Sequence, residues 1–230
     1  MKISEIAKLD SVEMFAEWLW QILCAFYPKL DWLKFGDLEN FVTRYESSVI
    51  GLAEIYYEHV PDDKKPMFRK AIGELLHEKS NDEKASTGAM EDLVYLIARI
   101  KALESAMALS VAVGTGLLGK RYPEILDSAF ASLEALSPSK ESCEATLKLI
   151  NSENFDTGYF FSALEILIRY KPSEAASIIK KHLPDLIKLK VTAKKLGAKE
   201  WEAYLFAKED FIEFLERKTS VDINILKPLE

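Results

Sequence analysis

Residues 114–120, with the sequence GTGLLGK, have the residue types of a phosphate-binding loop. In such a loop, glycine N–H groups wrap a phosphate, a lysine reaches the terminal phosphates, and a following serine or threonine binds magnesium. Here Arg121 occupies the position of that hydroxyl residue, and Pro123 interrupts the helix that should follow. An alanine-rich helical pattern stands where a strand is required. The sequence therefore predicts a glycine-rich helix end and turn at this position, and no nucleotide or other cofactor.

Residues suited to metal binding or nucleophilic chemistry are few and scattered. Glu74 and His77 have the ExxH spacing of di-iron helical bundles, but those sites need a second ExxH pair and further carboxylates. The chain has three histidines and no second pair of this kind. Cys24 and Cys143 lie inside helical patterns, which is typical of buried thiols and not of a disulfide framework. The sequence therefore predicts no metal site and no catalytic residue, and it favours a protein that is not an enzyme.

A cluster of lysines lies near the C-terminus of a chain whose formal net charge is −7. Residues 179–199 contain seven lysines and one aspartate. Lysine clusters can neutralise nucleic-acid phosphates, although this segment has no arginine for bidentate reading of bases. The alternative is a solvated helical face, with lysines at the ends of helices where the helix dipole favours them. The candidate nucleic-acid contacts are Lys180, Lys181, Lys188, Lys195 and Lys199.

The first long helical pattern is apolar around most of its circumference. Trp20 and Tyr27 lie off its main apolar stripe, and Trp32 follows closely in the sequence. Large exposed apolar patches mark interaction sites, so a soluble protein seldom leaves such a surface bare. We therefore predict that Trp20, Tyr27 and Trp32 contact a protein partner, in the simplest case a second copy of the chain. The alternative is that the rest of the chain covers this helix completely.

The elements that must position these residues are helices. Apolar residues recur at helical spacing along almost the whole chain, and alternating strand patterns are scarce. The predicted fold is all-α, with about nine or ten helices in an array of antiparallel hairpins. The pattern FxxLExL at 130–136 recurs at 161–167, and each copy is followed by Pro-Ser. This spacing is the size of one helical hairpin, so the C-terminal half is predicted to resemble an irregular α-solenoid.

Small and charged residues at 80–88 form the best predicted loop in the chain. This loop divides the sequence into an aromatic-rich N-terminal helical unit, 1–85, and a C-terminal unit of helical hairpins, 86–230. One continuous domain is the alternative.

Two details of the helical pattern bear on packing. Residues 91–113 are predicted to form one long central helix, in which small side chains recur every four residues and admit a close neighbour. Further along, Pro184 is predicted to separate a helix at 173–183 from one at 185–196. The small residues of the central helix are Ala98, Ala102, Ala106, Ser110 and Gly114.

The overall composition limits the class of protein. Hydrophobic residues make up 49% and charged residues 29%, as in ordinary globular proteins and not in disordered ones. The longest uncharged run, 105–119, is short for a membrane span, and no secretory signal is visible. These features predict a cytoplasmic protein that does not enter a membrane. Abundant Glu and Lys with a single glutamine are typical of proteins from thermophiles.

The sequence as a whole favours a non-enzymatic protein–protein interaction or scaffold protein, acting as a subunit of a complex or as a homodimer. The alternative is a nucleic-acid-associated helical-repeat protein that uses the lysines between 180 and 199. A helical-repeat enzyme acting on nucleic acid ranks below both. Binding to nucleic acid that falls steeply with added salt separates the second hypothesis from the first.

Overall fold

The computed structural model describes residues 6–26, 56–85 and 87–229, and within these ranges it contains helices and no strand. The predicted all-α class is therefore confirmed. None of the described helices is both long enough and apolar enough to cross a membrane. The α-helices are α1 (Val12–Phe26), α2 (Lys65–Lys79), α3 (Thr87–Arg99), α4 (Ala106–Gly114), α5 (Leu117–Arg121), α6 (Ile125–Ala135), α7 (Lys140–Ile150), α8 (Phe160–Tyr170), α9 (Ala175–Leu196) and α10 (Ala198–Lys218).

Short 3₁₀ turns join several of these helices, at Leu103–Ser105, Thr157–Tyr159 and Pro172–Glu174, and a longer one, Ile223–Leu229, follows α10. Helix α4 lies at the centre of the first half of the fold, where it packs against α2, α6 and α7. Helix α3 also packs against α6. The finer comparison with an α-solenoid stays a prediction.

The single long helix predicted at 91–113 is wrong, because the chain breaks between α3 and α4. Lys101 adopts a φ of 54°, and the N–H of Ala102 donates to the carbonyl of Ile97 at 2.9 Å. This is the six-to-one hydrogen bond of a Schellman helix end, in which the left-handed position is usually a glycine. A lysine in that position does not indicate the end of a helix, so the apolar pattern alone predicts one continuous helix.

Most of the small residues predicted to form a close edge are nevertheless buried, although the break leaves Ala98 half-buried on α3. Ala102, Ala106 and Ser110 are fully buried. The Ser110 hydroxyl donates to the carbonyl of Ala145 on α7 at 2.7 Å. A side chain as short as serine thus reaches the backbone of α7, so α4 and α7 lie close together. Small side chains allow this approach, because the backbone of one helix can then lie against the surface of the other.

The predicted break at Pro184 is also wrong, since α9 runs through it from Ala175 to Leu196. Proline inside a helix removes one backbone hydrogen bond, here the one that would reach the carbonyl of Lys180. Both Lys180 and Pro184 are exposed, so water can solvate that carbonyl. Burial of the inner face of α9, which includes Ile179 and Leu186, outweighs the local cost.

Two apolar clusters form the core. The first cluster contains residues from every helix between α1 and α7 and extends to Ile166 on α8. The second cluster contains residues from α8, α9, α10 and the last 3₁₀ turn. Helix α8 contributes to both, because opposite sides of it are buried: Ala163 and Ile166 face the first cluster, and Phe161 and Leu164 face the second. The predicted division at 85/86 stays a prediction. It is α8 that positions the α9–α10 pair on the rest of the molecule.

Candidate functional site

The glycine-rich segment 114–120 contains the predicted helix end and turn, and the turn is followed by a short helix that was not predicted. Helix α4 ends at Gly114 and α5 begins at Leu117. A Cβ on Gly114 would lie 2.6 Å from Ser152, and a Cβ on Gly119 would collide with the carbonyl oxygen of Val113. The glycines therefore allow close backbone packing. The Nζ of Lys120 lies 3.6 Å from a carboxylate oxygen of Glu153 on the protein's own surface.

The ExxH pair on α2 lies at the surface. A carboxylate oxygen of Glu74 is 3.6 Å from the Nζ of Lys70, and His77 is exposed. Among the residues that the structure describes, no group of three or more His, Cys, Asp or Glu side chains could hold a metal ion.

One cleft brings together a thiol and an imidazole that the sequence analysis did not connect. Cys143 on α7 and His182 on α9 line a cleft of about 230 Å³, and the Nδ1 of His182 lies 3.5 Å from a carboxylate oxygen of Asp185. Burial raises the pKa of the Cys143 thiol, which keeps the sulfur protonated. A catalytic cysteine needs the opposite shift, since the thiolate is the nucleophile. This cleft therefore gives no support to an enzymatic role.

The predicted N-terminal interface is described at one position. Trp20 on α1 is half-buried against the first core, and the Nζ of Lys79 lies 5.4 Å from the centre of its ring. Tyr27 and Trp32 lie outside the described residues. The proposed contact of these three residues with a partner stays a prediction.

The predicted basic residues are all exposed on the α9–α10 pair. Four of them lie on α9, and Lys199 lies at the start of α10. Lys181, Lys188 and Lys195 are seven residues apart and share one side of α9, whereas Lys180 lies on a neighbouring side. None of the five forms an ion pair with the residues described. These ammonium groups are therefore available to a ligand or partner.

Exposed large apolar side chains concentrate on the same pair of helices, which the sequence analysis did not anticipate. Within the described residues, seven large hydrophobic side chains are exposed, and four of them lie on α9 and α10. Leu196 and Phe206 are the most exposed, at 66% and 67%. The other two are Ile187 and Val191. Met14, Tyr95 and Met107 lie singly on three other helices.

A tight turn places α9 and α10 side by side. They are separated by Gly197 alone, whose φ of 132° is a conformation that favours glycine. A cleft of about 260 Å³ lies between the two helices near this turn, with Leu189 and Ala193 on one wall and Tyr204 and Ala207 on the other. Residues on either side of Gly197 thus line one space, which shows that the chain turns back on itself.

The phenol of Tyr204 is a buried polar group that, like the Cys143–His182 cleft, the sequence did not reveal. Its hydroxyl is buried and has no hydrogen-bond partner among the described residues. Burial alone raises the pKa of Tyr204 to about 12, so the phenol is neutral at physiological pH. Its ring stacks on Trp201, with 5.2 Å between ring centres, and the Nζ of Lys194 lies 4.6 Å from the centre of the Trp201 ring. Tyr204 therefore contributes an aromatic side chain to the lining of the cleft, whose charged lining residues are Asp156 and Glu200.

The solvent side of α10 is acidic, in contrast to that of α9. Phe206 lies between Glu202 and Glu209, at a spacing of four and three residues, and all three are exposed. This i, i+4, i+7 pattern puts them on one side of the helix. The spacing of these residues can be read from the sequence, whereas an apolar residue at helical spacing does not by itself indicate exposure.

No protein-family model matches this chain, and no curated protein or solved structure shows significant similarity to it. Functional inference for this protein therefore depends on its own residues.

Proposed function

We propose that this protein is a non-enzymatic helical interaction protein, a subunit of a complex or a homodimer, and that the solvent side of the α9–α10 pair is its binding surface. The observation that carries the proposal is the concentration of exposed apolar side chains there, with Phe206 at 67% and Val191 at 45% exposure. The proposal places the protein in the cytoplasm, where the free thiol of Cys143 stays reduced.

Several large apolar side chains of this surface stay in contact with water. The inner faces of both helices are already occupied by the second core, through Leu186 on α9 and Phe211 on α10. Phe206 and Val191 therefore have no folding role that demands a large apolar group. Complete burial of such a side chain contributes about 1.5–3 kcal/mol, and that gain is realised only when a partner covers it. The surrounding charges keep the uncovered surface soluble.

Capture of partners tests this proposal. A tagged copy is incubated with an extract of its source cells, and the co-purifying chains, including untagged copies, are quantified by mass spectrometry. We expect Val191→Glu/Phe206→Glu to reduce specific capture at least about tenfold, since interface hot spots contribute roughly 2 kcal/mol or more. Both side chains are exposed, so the variant should keep the helical circular dichroism of the native chain.

Met107→Glu is the matched control, because Met107 is 43% exposed but lies on α4, away from this surface. It should capture the same proteins as the native chain. Capture that survives the double variant, or that is lost equally in the control, would contradict the assignment of the surface.

Nucleic-acid binding is a second proposal, supported by the exposed lysines of α9, which form no ion pair with the described residues. Their expected effect is an affinity for double- or single-stranded nucleic acid that falls steeply with salt. Fluorescence anisotropy at several salt concentrations measures this slope. Lys181→Gln/Lys188→Gln/Lys195→Gln should lower the affinity and flatten the slope by about 2–3 units, roughly one for each phosphate that is no longer neutralised. An unchanged slope, or no binding at low salt, would exclude this function for the segment.

A further inference from the structure

The solvent sides of α9 and α10 carry residue patterns that match each other in spacing and oppose each other in charge. On α9 the stripe advances by three, four, three and four residues: Lys181, Pro184, Lys188, Val191 and Lys195. On α10 it advances by four, three, four and three: Glu202, Phe206, Glu209, Glu213 and Glu216. All ten side chains are exposed.

In the antiparallel direction, every position of one stripe has a counterpart in the other. Lys188 then lies opposite Glu209, and Val191 lies opposite Phe206. Two further ion pairs flank these contacts, Lys195 with Glu202 and Lys181 with Glu216. Alternating steps of three and four are the spacing at which two helices packed side by side keep the same sides in contact. The exposed apolar pair is thus placed between oppositely charged pairs.

One copy of the chain does not make these contacts itself. The three lysines and their three glutamate counterparts form no ion pair with any described residue. Both stripes lie on the side away from the second core, to which Leu186 and Phe211 point. The stripe on α9 is complementary to the stripe on α10, but one copy cannot bring its two stripes against each other. A second copy carries both stripes and can therefore cover each of them.

We propose that two copies associate through these stripes, α9 of each on α10 of the other, about a two-fold axis that runs along the helix pair. This inference rests on the proposed function and names the partner as the chain itself. Lys195 and Glu202 lie on either side of the Gly197 turn, and Lys181 and Glu216 lie towards the far ends of their helices. A two-fold axis in that direction therefore brings each pair to a similar level, and the antiparallel contact forms twice.

The glutamates of α10 also decide between a second copy and a nucleic acid on this surface. A polyanion lying on the α9 stripe would approach the row of Glu202, Glu209 and Glu216, none of which is neutralised by an ion pair within the described part of the chain. In a dimer, the glutamates on α10 of the second copy instead pair with the lysines of the first copy. The lysines on α9 of the second copy pair in turn with the glutamates of the first. Electrostatic complementarity of this kind gives specificity to an interface.

A charge exchange tests the register with the purified full-length chain alone. One variant carries Lys188→Glu/Lys195→Glu and the other carries Glu202→Lys/Glu209→Lys. Each places like charges opposite each other in its own dimer, and each should dimerise at least roughly tenfold more weakly than the native chain. In a mixture, a Lys-to-Glu chain facing a Glu-to-Lys chain restores all opposite charges. We expect the one-to-one mixture to regain dimers in sedimentation velocity, at the affinity of the native protein.

Lys190→Glu/Lys208→Glu is the control, because it changes the charge of the α9–α10 pair equally at positions on other sides of the two helices, and it should dimerise like the native chain. A native chain that stays monomeric in concentrated solution overturns the proposal, and so do variants that stay dimeric separately or fail to pair in the mixture. A monomeric chain that still captures a different protein, with capture lost in Val191→Glu/Phe206→Glu, overturns only the self-contact and leaves the proposed function standing.

Discussion

Gly119→Ala should destabilise the protein by ~3 kcal/mol or more, at the upper end of the cost of overpacking. The added methyl group would collide with the carbonyl oxygen of Val113 and lie 2.9 Å from the amide nitrogen of the Asn154 side chain. That amide donates to the carbonyls of Val113 at 3.0 Å and Gly116 at 3.2 Å, so it is fixed in place and cannot easily move away. Thermal or urea-induced unfolding followed by circular dichroism measures the change.

Gly158→Ala is the matched control. Gly158 is exposed, and the nearest atom to its added Cβ would be a carboxylate oxygen on the exposed side chain of Asp156, at 3.3 Å. Its stability should stay within about 1 kcal/mol of the native value. If Gly119→Ala unfolds like the native protein, the packing explanation of the glycine-rich segment is wrong. A tight nucleotide complex that is lost on Lys120→Ala would restore the phosphate-loop interpretation.

Ala106→Leu should cost about 1–3 kcal/mol, because three extra carbons must fit into a closely packed region of the core. Ala106 is fully buried on α4, the helix that packs against both α2 and α7. The short hydrogen bond from Ser110 to the carbonyl of Ala145 shows how little space separates α4 from α7. Urea denaturation gives the free energy of unfolding directly.

Ala131→Leu is the corresponding control, since Ala131 is an exposed alanine in the middle of α6. Leucine and alanine have similar helix propensities, so this variant should unfold within about 0.5 kcal/mol of the native chain. Equal effects of the two substitutions would show that α4 is not the closely packed centre of the first core.

The sequence determined the class of fold and most helix positions, because helical spacing of apolar residues is a local property of the chain. The buried positions of the repeated pattern follow the same rule: Phe130 and Phe161, and Leu133 and Leu164, are all buried. Both errors in helix boundaries arose at residues whose backbone conformation is unusual for their residue type. Lys101 takes a left-handed conformation usually reserved for glycine, and Pro184 stays inside a helix that proline usually ends.

For the candidate site, the sequence determined which residues share a side of α9 and α10, including the lysines at 181, 188 and 195. It also located the lysine-rich segment within an acidic chain. It did not reveal that Val191 and Phe206 are exposed, because an apolar residue at helical spacing usually faces a core. Only the tertiary structure decided that point. Periodicity fixes the angle of a side chain around its own helix, whereas burial depends on which other helices pack there, and α8 covers the opposite sides of both.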